Sequence, residues 1–195
     1  VYKMVIAAGA YKVMGYFDTG TAWYHWVGYA YAYGIYLFFD FAGYSLMAVG
    51  SSYMLGIETP ENFRQPFISR DIREFWDRWH ITLSHWFRDF IFTRFVMYSS
   101  KKKWFSTRLQ RACAGFFVDM GIMGLWHGIT PSYILYGLYH GLLLAATETY
   151  QKKSKFYKKH KNKTWYQVIS WAVTMQLVFF GFFLFSGKLM ELVGF

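Results

Sequence analysis

The stretch FWDRWHITLSHWFRDFIF, residues 75 to 92, sets charged side chains and two histidines among aromatic residues in a chain that is otherwise largely membrane-like. Its reading decides the fold, and function is to be sought there. At 100° per residue, Trp76, Trp79, Leu83, Phe87 and Phe90 share one helix face, while Asp77, Arg78, Thr82, His85, Arg88 and Asp89 share the other. His80 falls at the centre of the apolar face. An imidazole is costly to bury there without a hydrogen bond, so a core histidine with one partner and a functional histidine are both open readings. His85 lies on the opposite face, which argues against a zinc shared in the HExxH manner. Asp71, followed three residues later by Glu74, resembles a capping box. The spacing therefore predicts one helix from about Ile72 to about Tyr98, in or just under the headgroup region with its tryptophan stripe against a bundle.

Outward from this stretch the composition is that of a bilayer protein, 55% hydrophobic and 24% aromatic against 16% charged. Trp165 to Gly187 contains no charged residue and begins with an interfacial Trp–Tyr pair, as a spanning helix does. Ala112 to Thr130 and Ser132 to Thr147, separated by Pro131, read as a hairpin interrupted by Asp119, His127 and His140. Val1 to Phe17 and Trp23 to Ile57 are apolar as well, the second long enough to span with an appendage and to break near Gly43 or Gly50. The expected fold is all-α: a polytopic integral membrane protein whose helical bundle combines spanning, short and interfacial helices. Residues 1–195 read as a single membrane domain, part of a longer chain, with no sign of a signal peptide. The lone Cys113 allows no internal disulfide or CxxC site and reads as a packing residue.

The net charge of +10 is unevenly spread. Residues 101–111 and 152–163 hold 12 of the 21 lysines and arginines, and both segments are expected in the cytoplasm of a cell-membrane protein. These lysines flank spans instead of forming a basic face with interleaved aromatics, so topology and anionic headgroups explain them better than nucleic acid. The hairpin between them must then enter the membrane and return, turning at Gly128 to Pro131. His127 lies roughly 22 Å from Ala112 along a helix, inside a hydrocarbon layer of roughly 30 Å. A titratable group at that depth faces a bundle interior or a water-filled cavity, and is a functional candidate by default. Asp119 precedes His127 by about 12 Å and about 80°, too far for a dyad, and is expected to cap, pair with an arginine or bond a neighbouring helix. His140, next to Gly141, suits an interhelical hydrogen bond. His127 and His140 would sit about 20 Å apart on one helix, which speaks against a shared haem, and no metal is expected.

The FWDRWHITLSHWFRDF block, followed by GLWHG at 124–128 and preceded by FDFAGYSLMAVG at 39–50, resembles the membrane-bound O-acyltransferases in order and spacing. Members are roughly twice as long, so the chain resembles a C-terminal half. The resemblance implies that His127 is the catalytic histidine and His80 a second signature residue. Alginate-type members tend to continue the signature with a proline and paired glycines. Here IFTRFVMYSSKKKW is similar to the branch that D-alanylates teichoic acid. That branch implies a D-alanine thioester on the phosphopantetheine of an acidic carrier protein, no bound cofactor, a hydroxyl acceptor leading to lipoteichoic acid, and other membrane proteins of the same pathway. Neutral His127 would be the general base and His80 would orient the thioester or stabilise the oxyanion. Arg94, Phe95, Val96, Met97, Lys101, Lys102 and Lys103 would dock the carrier through charge around an apolar contact. The alternatives are an O-acetyltransferase of an exported polysaccharide and, in a different class, a proton-coupled transporter.

Overall fold

The computed structural model describes residues 1–20 and 22–194, and they are almost entirely helical. They fall into two compact units, Val1–Arg64 and Gln65 onward, each taken by itself below.

In the first unit a π-helical turn, Tyr2–Ala7, leads into α1 (Ala8–Asp18), which packs against α2 (Trp23–Met54). At 32 residues α2 is about 48 Å long, more than the roughly 30 Å of hydrocarbon, and it is one of two helices long and apolar enough to cross a membrane. The break expected near Gly43 or Gly50 is absent, because both glycines stay inside the helix. Gly43 serves approach instead: a Cβ there would lie 2.8 Å from the Lys3 backbone nitrogen. The Lys3 ammonium pairs with Asp40 on the same face. Beyond α2, Phe63 folds back edge-on to Phe38 and Phe41.

The second unit is built on a hairpin, α6 (Arg108–His127) and α7 (Pro131–Lys153), with α9 (Thr164–Phe185) against α7. Residue choice explains the hairpin. Thr107 and Gln110 form a reciprocal capping box that starts α6, and Thr130 with Pro131 starts α7. Gly124 and Gly137 face each other where the axes cross: a Cβ on Gly137 would come within 2.3 Å of the Met120 carbonyl, and one on Gly124 within 2.5 Å of the Tyr133 carbonyl. Cys113 lies half-buried against Ala145 and Thr149, a packing position. α9 is the second helix with the length and apolarity of a span. Short α8 (Lys155–His160) and α10 (Lys188–Val193) flank it.

The signature segment is not the single helix that its periodicity predicts. It is α3 (Ile72–Trp76), a turn, α4 (Ile81–Phe87), a π-helical turn (Arg88–Phe92) and α5 (Thr93–Lys101). The break is at His80, whose φ of 45° and ψ of 52° are left-handed, so the wheel drawn through residues 75–92 loses its phase there. Trp76, Trp79 and Phe87 are nevertheless buried as expected, Leu83 is half-buried and Phe90 exposed, and Phe75 is buried as well. Phe75 stacks on Trp79, and both meet Phe182 of α9, so burial of this aromatic group outweighs helix continuity.

Candidate functional site

His127 is the last residue of α6, and the geometry that ends the helix also presents its side chain. Gly128 follows with φ 153° and ψ 159°, and a Cβ there would collide with the Tyr133 ring at 2.9 Å. The chain reverses in three residues, so the half-buried imidazole sits between the end of α6 and the start of α7. Phe185 at 5.0 Å and Tyr136 at 6.3 Å meet it edge-on, and Tyr133 lies at 5.9 Å. Neither the tyrosines nor Phe185 stood out in the sequence. Their only signal was the i, i+3 spacing of Tyr133 and Tyr136 just after the turn.

His80 reaches the same region from the signature segment, where it is half-buried and lies close enough to His127 for the two rings to interact electrostatically. The left-handed backbone that holds it carries about 1–3 kcal/mol of strain for a residue other than glycine. The Ser84 hydroxyl donates to the Trp79 carbonyl at 3.0 Å and the Ser84 amide to the His80 carbonyl at 2.9 Å, fixing the turn. The fold thus brings together the two histidines singled out in the sequence. His85 is exposed and lines a cavity that contains neither His80 nor His127.

His140 occupies the core, 1% exposed. The Trp76 indole N–H donates to its Nδ1 at 3.2 Å, the interhelical hydrogen bond expected of it. Gly181 of α9 leaves room for the ring, since a Cβ there would meet Nε2 at 2.6 Å. Tyr136 lies against both His140 and His127 and so packs the site onto its support. Asp119 is buried two turns before His127 and turns to a neighbouring element, the backbone of Phe92, as the spacing implied. Among the described residues no three His, Cys, Asp or Glu side chains gather as metal ligands.

At the other end of the hairpin, ion pairs and hydrogen bonds tie the signature segment down. Arg73 and Lys152 both pair with Glu148 of α7, and the Gln151 amide donates to Asp71 at 2.9 Å. Asp71 caps α3, and the Glu74 carboxylate accepts from the Arg70 amide and from the Arg70 and Arg78 guanidinium groups. Partial burial opposes its charge, but these donors outweigh burial and hold its carboxyl below the usual range. The expected docking residues form an exposed run, Arg94, Met97 and Lys101 to Lys103, with Phe95 and Val96 half-buried. Val96 rests on Gly115 of α6, while Met97 is 64% exposed.

The chain is similar to known proteins over most of its length. The chain is 49% identical over 160 residues to the teichoic acid D-alanyltransferase of Bacillus subtilis (strain 168), a match covering 82% of this chain and 40% of that protein. It is 46% identical to the teichoic acid D-alanyltransferase of Lacticaseibacillus rhamnosus over 85% of this chain and 41% of that one. A probable alginate O-acetylase of Pseudomonas syringae pv. tomato is 38% identical over 90% of this chain and 30% of its own length. The chain spans about two fifths of the length of the D-alanyltransferases it matches. The description of the membrane-bound O-acyltransferases matches residues 14–190, and the chain belongs to that family.

Proposed function

We propose that this chain carries the acyl-transfer centre of a membrane O-acyltransferase that passes D-alanine from a carrier-protein thioester in the cytoplasm to an acceptor hydroxyl for lipoteichoic acid. The observation that carries the reading is that His80 and His127, from separate helical elements, lie within electrostatic range of each other, His127 beside an aromatic wall. On this reading α2 in the first unit and α6, α7 and α9 in the second cross the membrane, and residues 101–111 and 152–163 lie in the cytoplasm. His127 then sits deep, at the end of α6 remote from the basic residues. The similarity to D-alanyltransferases favours D-alanine over the acetyl group of the alginate enzymes.

In the reaction, neutral His127 removes the hydroxyl proton as the oxygen attacks the thioester carbonyl, and returns it to the departing thiolate. His80 stabilises the oxyanion or orients the thioester. The phosphopantetheine belongs to the carrier, and the chain itself needs no cofactor. Tyr133, Tyr136 and Phe185 exclude water from one side of the imidazole, which disfavours hydrolysis of the thioester.

The test is reconstitution of the full-length protein with purified D-alanyl carrier and acceptor. His127→Ala is expected to leave the protein folded and inserted while lowering transfer at least about a hundredfold. Near-normal turnover would overturn the assignment. Cysteines at Lys102 and Lys158 should react with a membrane-impermeant reagent only from the cytoplasmic side, and labelling from outside would overturn the topology.

A further inference from the structure

A cavity of about 480 Å³ opens between the signature segment and the hairpin, along the half of α6 that runs from Ala112 to Met120. It contains neither His80 nor His127. Its walls include Trp76, Phe92 and Phe116, and Asp119 forms part of its lining. Asp119 is only 5% exposed, and its Oδ1 has no hydrogen-bond partner, while the Phe92 backbone N–H serves the carboxylate from one side. Of the other charged groups of the lining, Arg73 pairs with Glu148 and Arg88 with Asp89, while Asp77 and the exposed His85 complete its polar edge. The Asp119 carboxyl thus stands against an aromatic wall with no cation of the protein paired to it, an arrangement in which its charged form is costly unless a cation arrives from outside.

From this we infer that Asp119 and its cavity form a way-station for a primary ammonium group on an otherwise uncharged donor, the α-ammonium of an aminoacyl thioester. The inference rests on the D-alanyl-donor reading and on the cytoplasmic placement of the basic ends. With those ends in the cytoplasm, the cavity lies on the cytoplasmic side of His127. The donor group must pass from there to the imidazole, a further 12 Å or so along α6. An ammonium crossing such a space alone meets an electrostatic barrier, and a carboxylate lining the path lowers it, as acidic side chains do in cation-selective pores. Aromatic faces add a weaker attraction for the same charge. A neutral acyl group meets no such barrier and gains nothing from Asp119. The carboxylate is therefore a specificity determinant: it admits an aminoacyl group and takes no part in the chemistry at His127.

The experiment gives the full-length protein in proteoliposomes a carrier loaded with D-alanine or with propionate, which replaces the ammonium by hydrogen. Asp119→Asn is expected to slow D-alanyl transfer at least tenfold while leaving propionyl transfer within twofold, and Asp119→Glu to recover part of the D-alanyl rate. Equal loss with both donors means that the carboxylate only supports the fold, and loss with neither means that it does nothing; both results overturn the inference. Propionyl transfer without D-alanyl transfer by the unsubstituted protein would instead refute the donor reading. The site is tested apart from turnover through Val96→Cys, as sole cysteine at the cavity wall. D-alaninamide should slow its reaction with a maleimide where propionamide does not, and Asp119→Asn should remove the difference. Identical behaviour of the two amides overturns the site.

Discussion

The α6–α7 hairpin and the signature segment each deliver one histidine to the same place, by opposite means. The hairpin is two regular helices, and His127 is presented because α6 stops at a glycine whose backbone only glycine readily adopts. In the signature segment, continuity is given up: a left-handed residue, a π-helical turn and two short helices replace what periodicity alone would make one rod. Regular helix supplies depth and rigidity, whereas the broken segment supplies direction, turning His80 toward a partner on another element. The difference teaches that a histidine can be placed by a helix end where the turn is short, and by backbone strain where it must leave the helical path.

Four tests bear on that contrast, beginning with the largest effect. Gly137→Val should separate α6 from α7, because the added carbons have no space beside the Met120 carbonyl. A loss of roughly 1–3 kcal/mol or more is expected, read as a lower midpoint of thermal unfolding in detergent. Unchanged stability would mean that the hairpin does not depend on close approach. In the signature segment the corresponding pair is His80→Ala and His80→Gly. Both should impair transfer, but the glycine variant should be the more stable by about 1 kcal/mol, since it takes the left-handed backbone without strain. Equal stabilities would refute the idea that strain is stored there.

The third test concerns α5. Val96→Asp should abolish carrier binding if this surface docks an acidic partner, yet Val96 also rests on Gly115. Met97→Asp, at the exposed neighbouring position, separates the two roles: it should weaken binding at least several-fold, more strongly at low salt, with no change in the unfolding midpoint. Tight binding by both folded variants would move the docking site elsewhere. The smallest effect is expected from His85→Ala, whose imidazole is exposed and away from the paired histidines, so transfer should stay within about twofold. A loss comparable to that of His80→Ala would remove the distinction between the two.

Much of this architecture was legible in the residues themselves. The hairpin and its turn follow from Thr107, Gln110, Gly128, Thr130 and Pro131, because capping and glycine conformations are local physics. The apolar stretches Trp23 to Ile57 and Trp165 to Gly187 are found as helices of spanning length, Trp23–Met54 and Thr164–Phe185, and His140's interhelical bond follows from its neighbouring glycine. The distance of His127 from the basic end of the hairpin rests on counting residues, a measure that holds because α6 is regular.

What the sequence by itself determined is therefore what near neighbours determine: helix ends, apolar spans and the identity of two candidate histidines. Only the tertiary structure decided that His80 leaves the helix, that α2 runs unbroken past Gly43, and that Asp119 faces a cavity with one oxygen unpaired. The reason is the same in each case. Phe75 and Trp79 gain more by packing on Phe182 than the chain loses in a strained turn, and Gly43 is held by the close approach of Lys3. These contacts join residues distant in the chain, and no local periodicity encodes them.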